Sequence, residues 1–87
     1  MDRKQIQDSV YQWVVARGNF NAPYGVLTGE SVNKAGHKYL NVTFGRSRTL
    51  DVSVNIYGTS FIQVRTSRHG SQIFKDVAKM QQFLDTL

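Results

Sequence analysis

Tyr39-Leu40-Asn41-Val42-Thr43-Phe44 and Leu50-Asp51-Val52-Ser53-Val54-Asn55-Ile56-Tyr57 alternate apolar and polar residues without a break. A period of two is the mark of a strand with one face buried and the other left to water or a ligand. Leu40, Val42, Phe44, Leu50, Val52, Val54 and Ile56 are thereby predicted on one side of a sheet. Tyr39, Asn41, Thr43, Ser53, Asn55 and Tyr57 belong on the other, because a slip of one residue would turn every side chain over. Between the two strands, Gly45-Arg46-Ser47-Arg48 reads as a short, doubly basic loop.

The neighbouring segments extend this sheet. Gly58-Thr59 turns the chain into a strand from Ser60 to Thr66, with Ile62 and Val64 facing the core and Phe61, Gln63 and Arg65 facing away. Upstream, Asn33-Lys34-Ala35-Gly36 is a hairpin turn in which Gly36 can take positive φ. It closes a first strand drawn from Tyr24 to Val32, which Gly29 weakens. The turn chemistry of Asn19 to Pro23 separates that strand from a helix over residues 3–17, with an apolar stripe of Ile6, Val10, Trp13 and Val14. Asp2 and Gln5 have the spacing of a capping box, and Gly18 suits a C-cap. Downstream, Ser67-Arg68-His69-Gly70 reads as a loop and Ser71 as an N-cap. Ile73, Val77, Met80, Leu84 and Leu87 then predict a second amphipathic helix. The expected class is α+β in the order α-β-β-β-β-α, a single antiparallel four-stranded sheet with two helices on one face. At 87 residues, one domain over 1–87 is expected, since a second core could not be enclosed.

The chain carries eleven Lys/Arg against six Asp/Glu, a formal charge of +5. Residues 1–33 hold three of each sign, so the whole excess lies in residues 34–87, eight basic against three acidic. Charge concentrated in this way points to a polyanionic partner. No cysteine is present, which excludes disulfides and thiolate metal sites. No apolar run reaches the length of a membrane span, so a soluble cytoplasmic protein without a membrane partner is expected. His37 and His69 stand apart from other ligands, the carboxylates form no pair, and no glycine-rich loop resembles a phosphate-binding one. The reading is therefore noncatalytic, with no cofactor and no metal. A metal-free ribonuclease is a further alternative, with His69 as the acid–base group and Arg65 and Tyr57 as helpers.

Two surfaces are candidates for the polyanion. One is the polar face of the sheet, where Tyr39, Tyr57 and Phe61 offer rings for bases. Asn41 and Gln63 offer amides there, and Lys38, Arg46, Arg48 and Arg65 offer charge for phosphates. The other is the loop holding Arg65, Arg68 and His69, with the helix start behind it and Lys75 and Lys79 along one helix face. The partner expected is nucleic acid, RNA ahead of DNA. The alternative is a protein module that docks on an acidic host protein, with the first strand's edge extending a partner's sheet; a homodimer could use the same edge.

The loop Arg65-Thr66-Ser67-Arg68-His69-Gly70-Ser71 and the helix after it resemble the phosphate-contacting end of a double-stranded RNA-binding domain. That family has three strands and a Lys-Lys-x-Ala-x-x-Lys helix opening, which this chain lacks. The resemblance implies a phosphate-contacting role for Arg68, His69, Lys75 and Lys79. In size, charge and layout the chain is also similar to the small basic early proteins of T4-like bacteriophages. Among these is the DNA-binding double-wing fold of the MotA C-terminal type. Lys38-Tyr39-Leu40-Asn41-Val42, the Tyr57-Gly58 turn and the helix from Ser71 carry that likeness in order. It implies a viral regulator acting on nucleic acid, on a host machine or on toxin–antitoxin machinery.

Overall fold

The computed structural model describes residues 2–17, 26–47 and 50–87, with the backbone alone for Arg17, Arg46, Ser47 and Leu50. Helix α1 (Arg3–Arg17) opens the chain, and its first turn is closed by the reciprocal pair the sequence suggested. The Gln5 amide donates to Asp2 Oδ1 and the Asp2 amide to Gln5 Oε1, each at 2.8 Å. Strands β1 (Leu27–Val32), β2 (Lys38–Ser47), β3 (Leu50–Gly58), β4 (Phe61–Thr66) and β5 (Gly70–Phe74) follow, then helix α2 (Val77–Asp85). All neighbouring pairs are antiparallel, in the simple order β1-β2-β3-β4-β5.

The class is α+β with one antiparallel sheet and two helices, but the sheet has five strands rather than four. The fifth strand occupies Gly70–Phe74, where a helix beginning at Ser71 was expected. Ile73 is the reason for the difference, since it fits a helical repeat with Val77 and a strand alternation with Ser71 equally well. Pairing with β4 satisfies backbone groups that a helix there would leave bare along that edge. Gly70, at φ +71, makes the reversal into the new strand. The N-cap of α2 is accordingly Asp76 and not Ser71, and its carboxylate accepts from Ala78 N at 2.7 Å and Lys79 N at 3.3 Å.

Three smaller boundaries also move. The first strand is described from Leu27, and Tyr24 lies outside the described residues, as does the Gly18 cap. Gly45-Arg46-Ser47 is the bulged end of β2 rather than loop, while Arg48 falls outside the description. In the first hairpin, Gly36 takes φ +87 and Asn33 Oδ1 accepts from the amides of Ala35 and His37, both at 2.9 Å.

Both helices lie on one face, α1 over β2 and β3 and α2 over β4 and β5. The core between them holds Ile6, Val10 and Val14 from α1 and Met80 and Leu84 from α2. Opposite these stand Val42, Phe44, Val52, Val54, Ile56, Ile62 and Val64 from the sheet. Each such side chain contributes roughly 1.5–3 kcal/mol by leaving water. Two polar contacts fix the helices. Gln7, 4% exposed, donates its amide to Gly29 O at 3.1 Å and Asn41 O at 3.0 Å. Trp13 Nε1 donates to Asp85 Oδ1 at 2.8 Å, tying α1 to α2.

Candidate nucleic-acid interface

With both helices on one side, no described element covers the opposite face of the sheet, and the register arranges its residues in rows across the strands. Asn41, Asn55, Gln63 and Ile73 form one row, and Thr43, Ser53, Arg65 and Ser71 another. The aromatic row stands beside the first hairpin. Tyr39 and Tyr57 meet with ring centroids 4.8 Å apart and planes tilted by 37°. Tyr57 and Phe61 meet edge to face at 5.2 Å. Tyr39 and Tyr57 are half-buried by this contact, and Phe61 is 47% exposed.

A chain of side-chain hydrogen bonds crosses the same face. Ser53 Oγ donates to Asn55 Oδ1 at 3.2 Å, Asn55 Nδ2 to Gln63 Oε1 at 3.2 Å, and Gln63 Nε2 to Ser71 Oγ at 2.9 Å. Asn55 is buried within it, so the amides that a ligand can reach are Asn41 and the rim of Gln63. Asn41 Oδ1 lies over β1, where a Cβ at Gly29 would stand 3.2 Å from it. Glycine at that position leaves room for the amide.

The thirteen candidates from the sequence thus separate. Tyr39, Asn41, Tyr57, Phe61, Gln63 and Arg65 share the open face. Lys38 pairs with Val32 and has the parity of Leu40 and Val42, so it stands at the hairpin end toward the helix side and not on the open face. Arg46 belongs to the end of β2. Arg68 is exposed in the β4–β5 turn. The helix-start surface is not built: Lys75 lies between β5 and α2, Lys79 lies in α2, and no helix begins at Ser71. His69 turns to the helix side, its ring 5.8 Å from that of Phe83, while its amide donates to Thr66 Oγ1 at 2.7 Å. The ribonuclease constellation is not assembled either. Tyr57 adjoins Phe61 at one end of the sheet, and His69 follows Thr66 at the other, so roughly 3.3 Å per residue of β4 separates them.

Charge on the open face is sparse and placed at the ends of the strands. Arg65 is exposed, and a cavity of about 280 Å³ beside it is also lined by Asp51. Among the described residues the one ion pair is Lys4 to Asp8 at 3.5 Å, on the exposed flank of α1. Arg65, Arg68, Lys38 and Arg3 are in no ion pair among the described residues. Arg3 and His37, which sequence reasoning did not single out, stand beside Lys38 at the aromatic end. Their proximity depends on three elements meeting, which no local pattern announces. Among the described residues no helix is long and apolar enough to cross a membrane. Compared with protein-family models, with curated proteins and with solved structures, the chain shows no significant match.

Proposed function

We propose that this protein is a noncatalytic nucleic-acid-binding domain that takes a single strand, RNA ahead of DNA, on the uncovered face of its sheet. The observation that carries the reading is the row Tyr39–Tyr57–Phe61, left without a covering helix and bordered by cationic side chains at both ends of the strands. Bases stack on such rings for about 1–3 kcal/mol each, whatever their identity. Arg65 on the open face and the exposed Arg68 in the turn after it offer charge for phosphates at the end of the sheet away from the rings, and Lys38 adds charge at the rim of the aromatic end. Unstacked RNA bases on an antiparallel sheet are a recurrent solution to this recognition problem. A regulatory role, of the kind implied by the likeness to phage early proteins, is consistent with a binding face that performs no chemistry of its own.

The test is the protein purified without nuclease. Co-eluting nucleic acid that disappears with RNase but not DNase, and whose affinity falls steeply as salt rises, is the expected result. A clean protein that shifts neither RNA nor DNA at low salt, or an affinity indifferent to salt, would overturn the reading. A second reading, docking on an acidic host protein, draws on Leu27 and Val32 on β1 and Ile73 on β5. These apolar side chains are exposed on the two outermost strands. It is favoured by one protein retained in a nuclease-treated pull-down; a homodimer through the same edges would appear as a doubled mass in solution.

A further inference from the structure

At the aromatic end of the sheet a cavity of about 580 Å³ is lined by Arg3, Gly36, His37, Lys38, Tyr57 and Phe61. Its size falls within the roughly 300–1,000 Å³ of small-molecule sites. Three separate features of the fold bring these groups together. The capping box fixes the start of α1, and Arg3 Nη1 donates to Lys38 O at 3.3 Å, which holds the guanidinium at the rim. Positive φ at Gly36 reverses the chain, so His37 leads into Lys38 at the start of β2, whose Leu40 pairs with Ile56 near the end of β3. Finally, the register slips between Ile56 and Gly58, where Ile62 and Phe61 are the partners across β4. Tyr57 is the extra residue of a bulge. Bulges re-aim side chains, and this one sets the Tyr57 ring against Phe61 and toward the cavity.

The chemistry of the lining is that of a ligand with one aromatic and one anionic end. Two rings, Tyr57 and Phe61, line the cavity together with Arg3, His37 and Lys38. No carboxylate among the described residues lines the cavity, and the nearby Asp2 carboxylate is occupied in capping α1. A guanidinium fork suits phosphate oxygens, and Lys38 adds a point charge. We propose that this cavity binds a nucleoside monophosphate group, its base against Phe61 and Tyr57 and its phosphate among Arg3, His37 and Lys38. The choice of a nucleotide over other aromatic anions rests on the nucleic-acid reading above. The group has two sources, a free mononucleotide or the phosphorylated end of a strand lying on the open face.

An amide NMR titration of the whole chain tests this with adenosine 5′-monophosphate, adenosine and inorganic phosphate as probes. The expected result is a saturable response centred on residues 3, 36–38, 57 and 61, with adenosine and phosphate each binding at least about tenfold more weakly than the monophosphate. Arg3→Gln with Lys38→Gln, both exposed and outside the core, is expected to reduce monophosphate binding by about tenfold or more without changing the melting curve. A response centred elsewhere, inorganic phosphate binding as tightly as the monophosphate, or an unaffected double variant would overturn the proposal. A short RNA with a 5′-phosphate that binds more tightly than both its 5′-hydroxyl form and the mononucleotide identifies the strand end as the source. Equal binding of the two RNAs, with the mononucleotide still bound, identifies the free nucleotide. Monophosphate binding in a protein that takes up no RNA or DNA strand would sustain this site and remove only the wider reading.

Discussion

Ile56 and Tyr57 are neighbours in β3 and serve opposite faces of one sheet. Ile56 is wholly buried beneath the helices, among aliphatic side chains. Tyr57 sits on the uncovered face, held by two rings and bordered by a cavity. The same division runs along β2 and β4, where Val42 and Val64 face inward and Asn41, Gln63 and Arg65 outward. One face is ordered by exclusion of water. The other is ordered by directional contacts, the ring row and the chain of hydrogen bonds from Ser53 to Ser71. A face of the second kind keeps its shape without being covered, which is what a binding platform requires.

The contrast can be broken by substitution, and the expected effects on stability descend in order. Ile56→Ala is expected to cost about 2–5 kcal/mol in chemical denaturation, because the cavity it leaves cannot refill. Gln7→Ala removes the donor that spans Gly29 O and Asn41 O, and is expected to cost about 1–3 kcal/mol. A cost near zero would mean that α1 is held by its apolar stripe alone. Asp76→Ala takes the cap from α2, with an expected loss of about 0.5–2 kcal/mol by thermal melting. A cost near zero would mean that α2 does not depend on this cap. Tyr39→Ala is expected to change stability by no more than about 1 kcal/mol, the scale of a cross-strand pair. A loss as large as that of Ile56→Ala would make the open face a second core. Least of all, Asp8→Ala breaks the exposed Lys4–Asp8 pair for at most about 0.5 kcal/mol, an effect that salt should erase.

What could be read in the sequence follows the strength of the periodic signal. Strands β2, β3 and β4 alternate so regularly that their two faces were assigned residue by residue, and the ring row followed from that parity. The bounds of α1 were legible because a stripe, a capping box and a following glycine agree. Residues 70–74 were not, because Ser71 is a good N-cap in isolation and Ile73 satisfies two periods. Only pairing with β4 decides between them, and that is a long-range contact. The helix-start surface fell with that assignment, as did one of the three features behind the double-wing likeness. Gln7 was not singled out in the sequence, since its burial depends on bonds to the backbone of β1 and β2 that no pattern within α1 announces. Arg3 and His37 gave no signal, since their meeting depends on the first hairpin folding back toward the start of α1.

The account stands on the open face as the place where a strand is held, and fluorescence anisotropy with a labelled single-stranded RNA tests that most directly. Wild type is compared at one fixed, low salt concentration with Tyr39→Ala/Tyr57→Ala and with Lys79→Ala, a change on the exposed side of α2. The account predicts saturable binding by wild type and a loss of roughly 10- to 100-fold or more in the double variant. Lys79→Ala should stay within about threefold of wild type, the effect of losing one distant charge. A double variant that binds as tightly as wild type, or a larger loss from Lys79→Ala, would contradict it and move the site to the helices.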